Sequence, residues 1–260
     1  MLKSVFLGLV QGLTEFLPVS SSGHLLLANS IMGRAPGAAF QEIAFLHLGT
    51  LLAVLFYFRK GLASLVIDFF RRGARPGGRS GSSARMTVVY LFIASIPAGI
   101  AGALAKDALD RIFAVNSVWI SLFFIVNSVL LIGSDFIKEK SATLDGKKSF
   151  LIGAFQALAI LPGVSRSGST IGAGVLIGMT REKAVEFSFY MSIPAVLFGN
   201  LLVCDFNGSL LNVPMLVATV TAFLSGLAAI SLLMLMVKKA KLRYFGFYTL
   251  AVAAINLFLI

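Results

Sequence analysis

The sequence predicts an all-α polytopic membrane protein built as an inverted-topology repeat, each half a re-entrant helix hairpin plus three transmembrane helices. Three observations carry this. Of 260 residues, 58% are hydrophobic and only 13% are charged, where a soluble domain carries about 25% charged residues. Several stretches run about 20 residues almost without charge, the length that crosses a bilayer. And one polar segment occurs twice, once in each half. The first copy reads Gln11-Gly-Leu-Thr-Glu15-Phe-Leu-Pro18-Val-Ser20-Ser21-Ser22-Gly23-His24, and the second Gln156-Ala-Leu-Ala-Ile-Leu-Pro162-Gly-Val-Ser165-Arg166-Ser167-Gly168-Ser169-Thr170. With one inserted glycine they align as Gln-x-Leu, then Leu-Pro-(Gly)-Val-Ser-x-Ser-Gly.

The elements follow in order. Segment 2–33 is apolar but broken in the middle by Pro, Ser and Gly. Each arm is about a dozen residues, or ~18 Å of helix, too short for ~30 Å of hydrocarbon. A re-entrant hairpin fits, because irregular backbone at membrane depth must be buried in protein or face water. Spans follow at 41–58, 86–105 and 115–137. Between the first two, residues 59–85 are rich in Gly, Arg and Ser and read as a mobile cytoplasmic linker. The second hairpin occupies 149–180, followed by spans at 184–204, 213–237 and 244–260. The halves divide as 1–140 and 141–260.

Basic residues orient the chain. Of the 22, the connections at 59–85, 138–148, 181–183 and 238–243 hold 17. The opposite connections hold Lys3, Arg34, Lys106 and Arg111, and Arg166 lies inside the second hairpin. The richer side should be cytoplasmic. The reading is a multi-pass membrane protein with both termini on the outer face. Three spans are an odd number, so the second half enters from the opposite face and the two hairpin tips meet near the midplane, where such folds place their sites. The net charge of +11 belongs to these loops and gives no reason to expect nucleic acid. Lys3 and the apolar run after it resemble a signal peptide, but Gln11 and Glu15 interrupt the run without a small-residue cleavage site, so the segment reads as mature protein. The single cysteine, Cys204, excludes an internal disulfide and a cysteine metal cluster.

The tips hold the residues that could do chemistry. Ser20, Ser21 and Ser22 supply hydroxyls, and Gly23 lets the backbone approach a ligand. His24 could take a proton from a serine or attack phosphorus itself. Glu15 is an acid at a depth where charge is costly and usually functional. It could orient His24, accept a proton or bind a metal, and Gln11 shares its helix face. In the second copy Arg166, flanked by Ser165, Ser167, Gly168 and Thr170, suits phosphate oxygens. A helix starting near Ser169 would add N–H groups. The set fits hydrolysis of a phosphate ester or anhydride. The plainer readings are that the serines satisfy backbone groups freed by the breaks, and that Glu15 and Arg166 form a structural ion pair. His47 reads as a packed, hydrogen-bonded residue. Glu42 and Glu186 could line the site or cap helices, and Asp107, Asp110, Asp135 and Asp205 read as solvated at span ends.

At these residues the chain resembles the undecaprenyl-diphosphate phosphatase family of bacteria, associated with bacitracin resistance, over essentially its whole length. The stretches Gln11 to His24 and Leu161-Pro-Gly-Val-Ser-Arg-Ser-Gly-Ser-Thr170 carry the likeness. The resemblance implies a hydrolase that removes one phosphate from a C55 polyprenyl diphosphate and so recycles the lipid carrier of cell-wall synthesis. It implies Glu15, His24 and Arg166 as essential and Ser21 as nucleophile. It implies a divalent cation, Mg²⁺ or Ca²⁺, with Glu15 and Gln11 as candidate ligands, and a site open to the periplasmic side. Many members have glutamate where this chain has Gln11, which weakens a two-carboxylate metal site. The head-binding group would be Ser20, Ser22, Gly23, Ser165, Ser167, Gly168 and Thr170. Ser21 would attack with His24 as base; a phosphohistidine on His24 is the rival. A transporter or flippase for a phosphorylated lipid or anion could use the same architecture. The sequence also leaves a homodimer open.

Overall fold

Proline and serine set the break in the first hairpin. Helix α1 (Leu2–Phe16) stops at Leu17, whose extended backbone is what a following proline favours. Helix α2 (Ser21–Ile31) starts behind its N-cap Ser20, whose hydroxyl accepts the Gly23 N–H. The computed structural model describes residues 1–33, 40–71, 81–105, 108, 117–138, 140, 143–203, 212–237 and 241–258. The remaining helices are α3 (Phe40–Tyr57), α4 (Arg59–Phe70), α5 (Gly81–Ala105), α6 (Ser117–Ser134), α7 (Gly146–Ala157), α8 (Arg166–Leu176), α9 (Arg181–Val203), α10 (Val213–Val237) and α11 (Arg243–Phe258). A short 3₁₀ turn, Leu158–Ile160, extends α7. Among the described residues every regular element is helical.

The second hairpin is made the same way. Asp145 caps α7 by accepting the Lys148 N–H at 2.8 Å. Ser165 caps α8 by accepting the Gly168 N–H at 3.0 Å. With that cap, α8 begins at Arg166, three residues earlier than the expected start near Ser169. Both hairpins close on a glycine of positive φ, Gly33 and Gly178, a backbone only glycine adopts freely at a helix end.

Surface and interior are exchanged relative to a soluble protein. Large apolar side chains face outward, with Phe92 at 65%, Leu104 at 81% and Phe258 at 91% exposure. Gln11, Asn127, Ser167, Ser169 and Thr249 are buried. Lipid is the surrounding in which this arrangement is favourable. By length and composition three described helices can cross a membrane, within α5, α9 and α10, and a fourth if the bent pair α3–α4 counts as one span. The expected six are therefore not all matched. α6 and α11, at 18 and 16 residues, reach only ~27 and ~24 Å.

Two expectations need correction. Residues 59–70 of the expected linker form α4, which turns 71° from α3 at Phe58 and buries Leu65 and Asp68; the apolar run Leu62 to Phe70, without Gly or Pro, is what keeps it helical. Asp135 is not a solvated span-end residue. It is buried, pairs with Arg181 at 2.9 Å and accepts the backbone N–H groups of Leu242 and Arg243 at 3.1 and 3.3 Å, so it caps the start of α11. Cys204, Asp107, Asp110, Asp205 and the side chain of Glu42 lie outside the described residues.

Close glycine contacts hold the hairpins against long helices. α1 and α3 both lie on α10 and touch each other, and α7 lies on α5. A Cβ on Gly12 would sit 2.5 Å from the Ala222 carbonyl oxygen, and one on Gly153 would clash with that of Ala94. In lipid this tight van der Waals packing is a main source of helix association. Gly12→Val is therefore expected to cost about 1–3 kcal/mol or more by overpacking, seen as a lower melting temperature in detergent. Gly133, where a Cβ meets nothing within 4 Å, supplies the control: Gly133→Ala should leave the melting temperature equal or higher.

Candidate active site

The caps bring two helix N-termini together. Ser21 is the first residue of α2 and Arg166 the first of α8, each directly after its capping serine. The tips touch. The Gly163 N–H donates to Ser20 Oγ at 3.2 Å, and Ser167 Oγ donates to the Leu17 carbonyl at 3.1 Å. Asn127 of α6 ties them from the side, its Nδ2 donating to the Pro18 carbonyl at 3.1 Å and its Oδ1 accepting the Ser165 N–H at 3.0 Å. Asn127→Ala would leave both backbone groups buried and unpaired, at about 1–3 kcal/mol each. Its expected result is a lower melting temperature together with a reduced turnover rate, measured on the same preparation.

Glu15 is the hub. Its Oε1 accepts Arg166 Nη2 at 2.8 Å. Its Oε2 accepts Ser21 Oγ at 2.6 Å and Gln11 Nε2 at 3.0 Å, and lies 3.3 Å from His47 Nε2. His47 Nδ1 meets the Ile43 carbonyl at 2.8 Å, which turns the other ring nitrogen toward Glu15. Arg166 also reaches the Ser188 carbonyl at 3.4 Å. Its guanidinium has five N–H donors, more than these two acceptors take up.

Beside this hub lies a cavity of about 340 Å³. Its polar wall holds Glu15, Ser20, Ser21, Ser22, His47, Gln156, Ser165 and Arg166. Its apolar wall includes Ala98, Gly99 and Gly102 of α5 and Pro194, Ala195, Val196, Phe198 and Gly199 of α9. A carboxylate 2.6 Å from a serine hydroxyl, an adjacent guanidinium and two helix N-termini are the chemical types that can serve as a base, a nucleophile and an anion clamp.

The expected site residues divide. Glu15, Ser20, Ser21, Ser22, Ser165 and Arg166 line the cavity. Gln11, Gly23, His24, Ser167, Gly168 and Thr170 do not. Gln11 supports Glu15 from behind. Ser167 and Gly168 are spent on the tip contact and the cap. Thr170 bonds the Arg166 carbonyl and Ser188 Oγ. His24 departs most from expectation. Its Nδ1 donates to the Ser20 carbonyl at 2.7 Å, its Nε2 meets Tyr248 Oη at 2.9 Å, and its ring stacks on Tyr248. Both nitrogens are thus engaged away from Ser21, and the side chain holds Ser20 in its positive-φ backbone (φ 70°), a conformation that costs a non-glycine residue about 1–3 kcal/mol. Glu186 is half-buried and does not line the cavity.

Sequence reading missed His47, Asn127 and Gln156. One signal was available: the tetrapeptide Ser-Ile-Pro-Ala occurs at 95–98 and again at 192–195, and Ser95, Ala98, Pro194 and Ala195 all line the cavity. The expected divalent cation does not fit the side chains as they stand. Both Glu15 oxygens already accept protein donors, one of them from a cation, and no group of three or more His, Cys, Asp or Glu converges among the described residues. A hard divalent cation wants six or more oxygens.

Residues 4–255 match the family model described as bacitracin resistance protein BacA. The chain belongs to this family. Three curated relatives carry the name undecaprenyl-diphosphatase. The protein of Methanococcus vannielii is 35% identical over 250 residues, covering 95% of both chains. That of Kineococcus radiotolerans is 40% identical, covering 97% of this chain and 91% of its own. That of Myxococcus xanthus is 37% identical, covering 100% of this chain and 89% of its own. Family membership and the outward-facing apolar helices together make this a multi-pass membrane protein.

Proposed function

We propose that this membrane enzyme hydrolyses undecaprenyl diphosphate to undecaprenyl phosphate and inorganic phosphate, recycling the lipid carrier of cell-wall synthesis and conferring bacitracin resistance. The observation that carries the reading is the Ser21–Glu15–Arg166 arrangement on the cavity wall. A transporter needs an anion clamp but has no use for a serine hydroxyl held 2.6 Å from a carboxylate. The diphosphate lies against Arg166, Ser165 and the N-termini of α2 and α8, and the prenyl chain leaves along the small residues of α5 and α9. Ser21 Oγ attacks the terminal phosphorus while its proton passes to Glu15 Oε2. The P–O bond to the bridging oxygen breaks, and lipid phosphate departs with the electron pair. Glu15 hands that proton to the departing lipid phosphate; water then attacks the phosphoserine as Glu15 takes its proton, and Glu15 returns that proton to Ser21 Oγ as inorganic phosphate leaves. His47 and Gln11 hold Glu15 in place. On this reading His24 shapes the Ser20–Ser21 turn and does not act as base.

The inverted repeat belongs to the same reading. α1 on α10 is answered by α7 on α5, and α3 on α10 by α9 on α5, the pairing expected if α1, α2, α3, α5 and α6 correspond to α7 through α11. Both termini then lie on the outer face and the cavity opens outward between α5 and α9. The dependence on Mg²⁺ or Ca²⁺ that the resemblance implies would rest on the substrate's own oxygens, where an ion would offset the diphosphate charge, and not on Glu15, whose two oxygens are taken by Arg166 and Ser21. A chelator titration tests that expectation: release should fall as free cation falls, and activity indifferent to chelator removes the ion from the reading. The central test is phosphate release by purified protein from a polyprenyl diphosphate, with brief labelling to trap the intermediate. Label on Ser21 is expected. Label on an imidazole, or binding without release, overturns the mechanism or the enzyme reading respectively.

A further inference from the structure

Gln156 is the counterpart of Gln11 in the second copy of the repeated segment, yet its circumstances differ. Gln11 spends its amide on Glu15. In the second copy Ile160 stands near Glu15's place, so Gln156 has no carboxylate to hold. Its side chain is only 3% exposed, and both its Nε2 and its Oε1 lack a hydrogen-bond partner. It nevertheless lines the same cavity as Ser165 and Arg166. An unpaired buried carboxamide costs free energy on both its donor and its acceptor side. That cost is offset when a ligand supplies the missing partners.

We infer that Gln156 is a substrate-binding residue, its Nε2–H₂ donating to non-bridging oxygens of the phosphate head, as a neutral second contact in addition to the charged clamp of Arg166. A carboxamide suits this place. It donates two N–H groups without adding a second cation beside Arg166, and so leaves the Glu15–Arg166 pair undisturbed. The ligand chemistry is a phosphate monoester or anhydride oxygen. It could belong to the phosphate that stays with the lipid or to the one released. The inference rests on the phosphatase reading above, and the test separates the two.

The experiment compares wild type with Gln156→Leu and Gln156→Glu in detergent, using a polyprenyl diphosphate. Wild-type phosphate release is measured first; its absence defeats the phosphatase reading itself. Given release, Gln156→Leu should raise KM about ten- to hundredfold, the loss of a hydrogen bond to a charged group, while kcat changes little. Gln156→Glu, nearly isosteric but anionic, should raise KM further. Removing an unpaired amide should also raise the melting temperature of Gln156→Leu, a shift that a purely structural glutamine would not combine with weaker substrate binding. Product inhibition then locates the contact. Weaker inhibition by prenyl monophosphate in the variant places Gln156 on the lipid phosphate, and weaker inhibition by inorganic phosphate places it on the departing one. If KM and both inhibition constants match wild type, the inference is overturned. Should Gln156→Leu fail to fold, Gln156→Glu decides by the same criterion.

Discussion

Glu15→Gln is expected to slow phosphate release about a hundred- to ten-thousandfold, the usual contribution of a general base, with KM changed far less. The substitution keeps the shape of the side chain and can still accept from Ser21. It removes the basicity that takes the serine proton, and it removes the negative charge facing Arg166 and His47. His24→Asn provides the contrast. His24 turns both ring nitrogens to Ser20 and Tyr248, so this variant should lose activity through a poorly held turn, with a lowered melting temperature. Measured turnover and thermal stability on both variants decide between base and support. A Glu15→Gln variant of near wild-type rate would sink Glu15 as base.

Arg166→Ala is expected to be nearly as severe in rate and worse in stability. Removing a preorganised donor to a developing oxyanion typically costs about 10²–10³ in rate. The same change strands the Glu15 carboxylate, and breaking a buried pair in this way costs about 3–5 kcal/mol. The two effects can be separated. Arg166→Met combined with Glu15→Gln removes both charges, and should recover melting temperature without recovering turnover. Arg166→Lys keeps the charge but loses the planar fork, and should bind substrate weakly with the fold intact. If the double variant fails to regain stability, the ion pair is not what joins the hairpins.

Much of this was open to reading in the chain. Leu-Pro-(Gly)-Val-Ser marks both breaks because proline disfavours helix in the residue before it and serine caps the helix that follows. Those local rules place Ser21 and Arg166 at matching helix starts. The bound of α10, Val213–Val237, equals the expected span because no Gly-Pro break interrupts it. Histidine was where local spacing said least about contacts. His24 is three residues from Ser21, a spacing that suggests a shared face, but α2 starts at Ser21 and His24 reaches back to its cap and out to Tyr248. His47 stands in an apolar run with nothing polar beside it in sequence, and its partner Glu15 comes from another helix. Asp135 failed for the same reason: its partners are at 181 and 242–243.

The sequence alone determined the class, the two broken apolar segments and the division of acid and cation between the copies. These follow from composition, helix length against bilayer thickness, and the conformational limits of Pro, Ser and Gly, all of which act over a few residues. Only the tertiary structure decided which histidine meets Glu15, that Asn127 ties the two tips, and that Gln156 faces the cavity with its amide unpaired. Those facts depend on which helix faces pack together, and in lipid that choice is made by close contacts such as Gly12 against Ala222 and Gly153 against Ala94, between residues far apart in the chain.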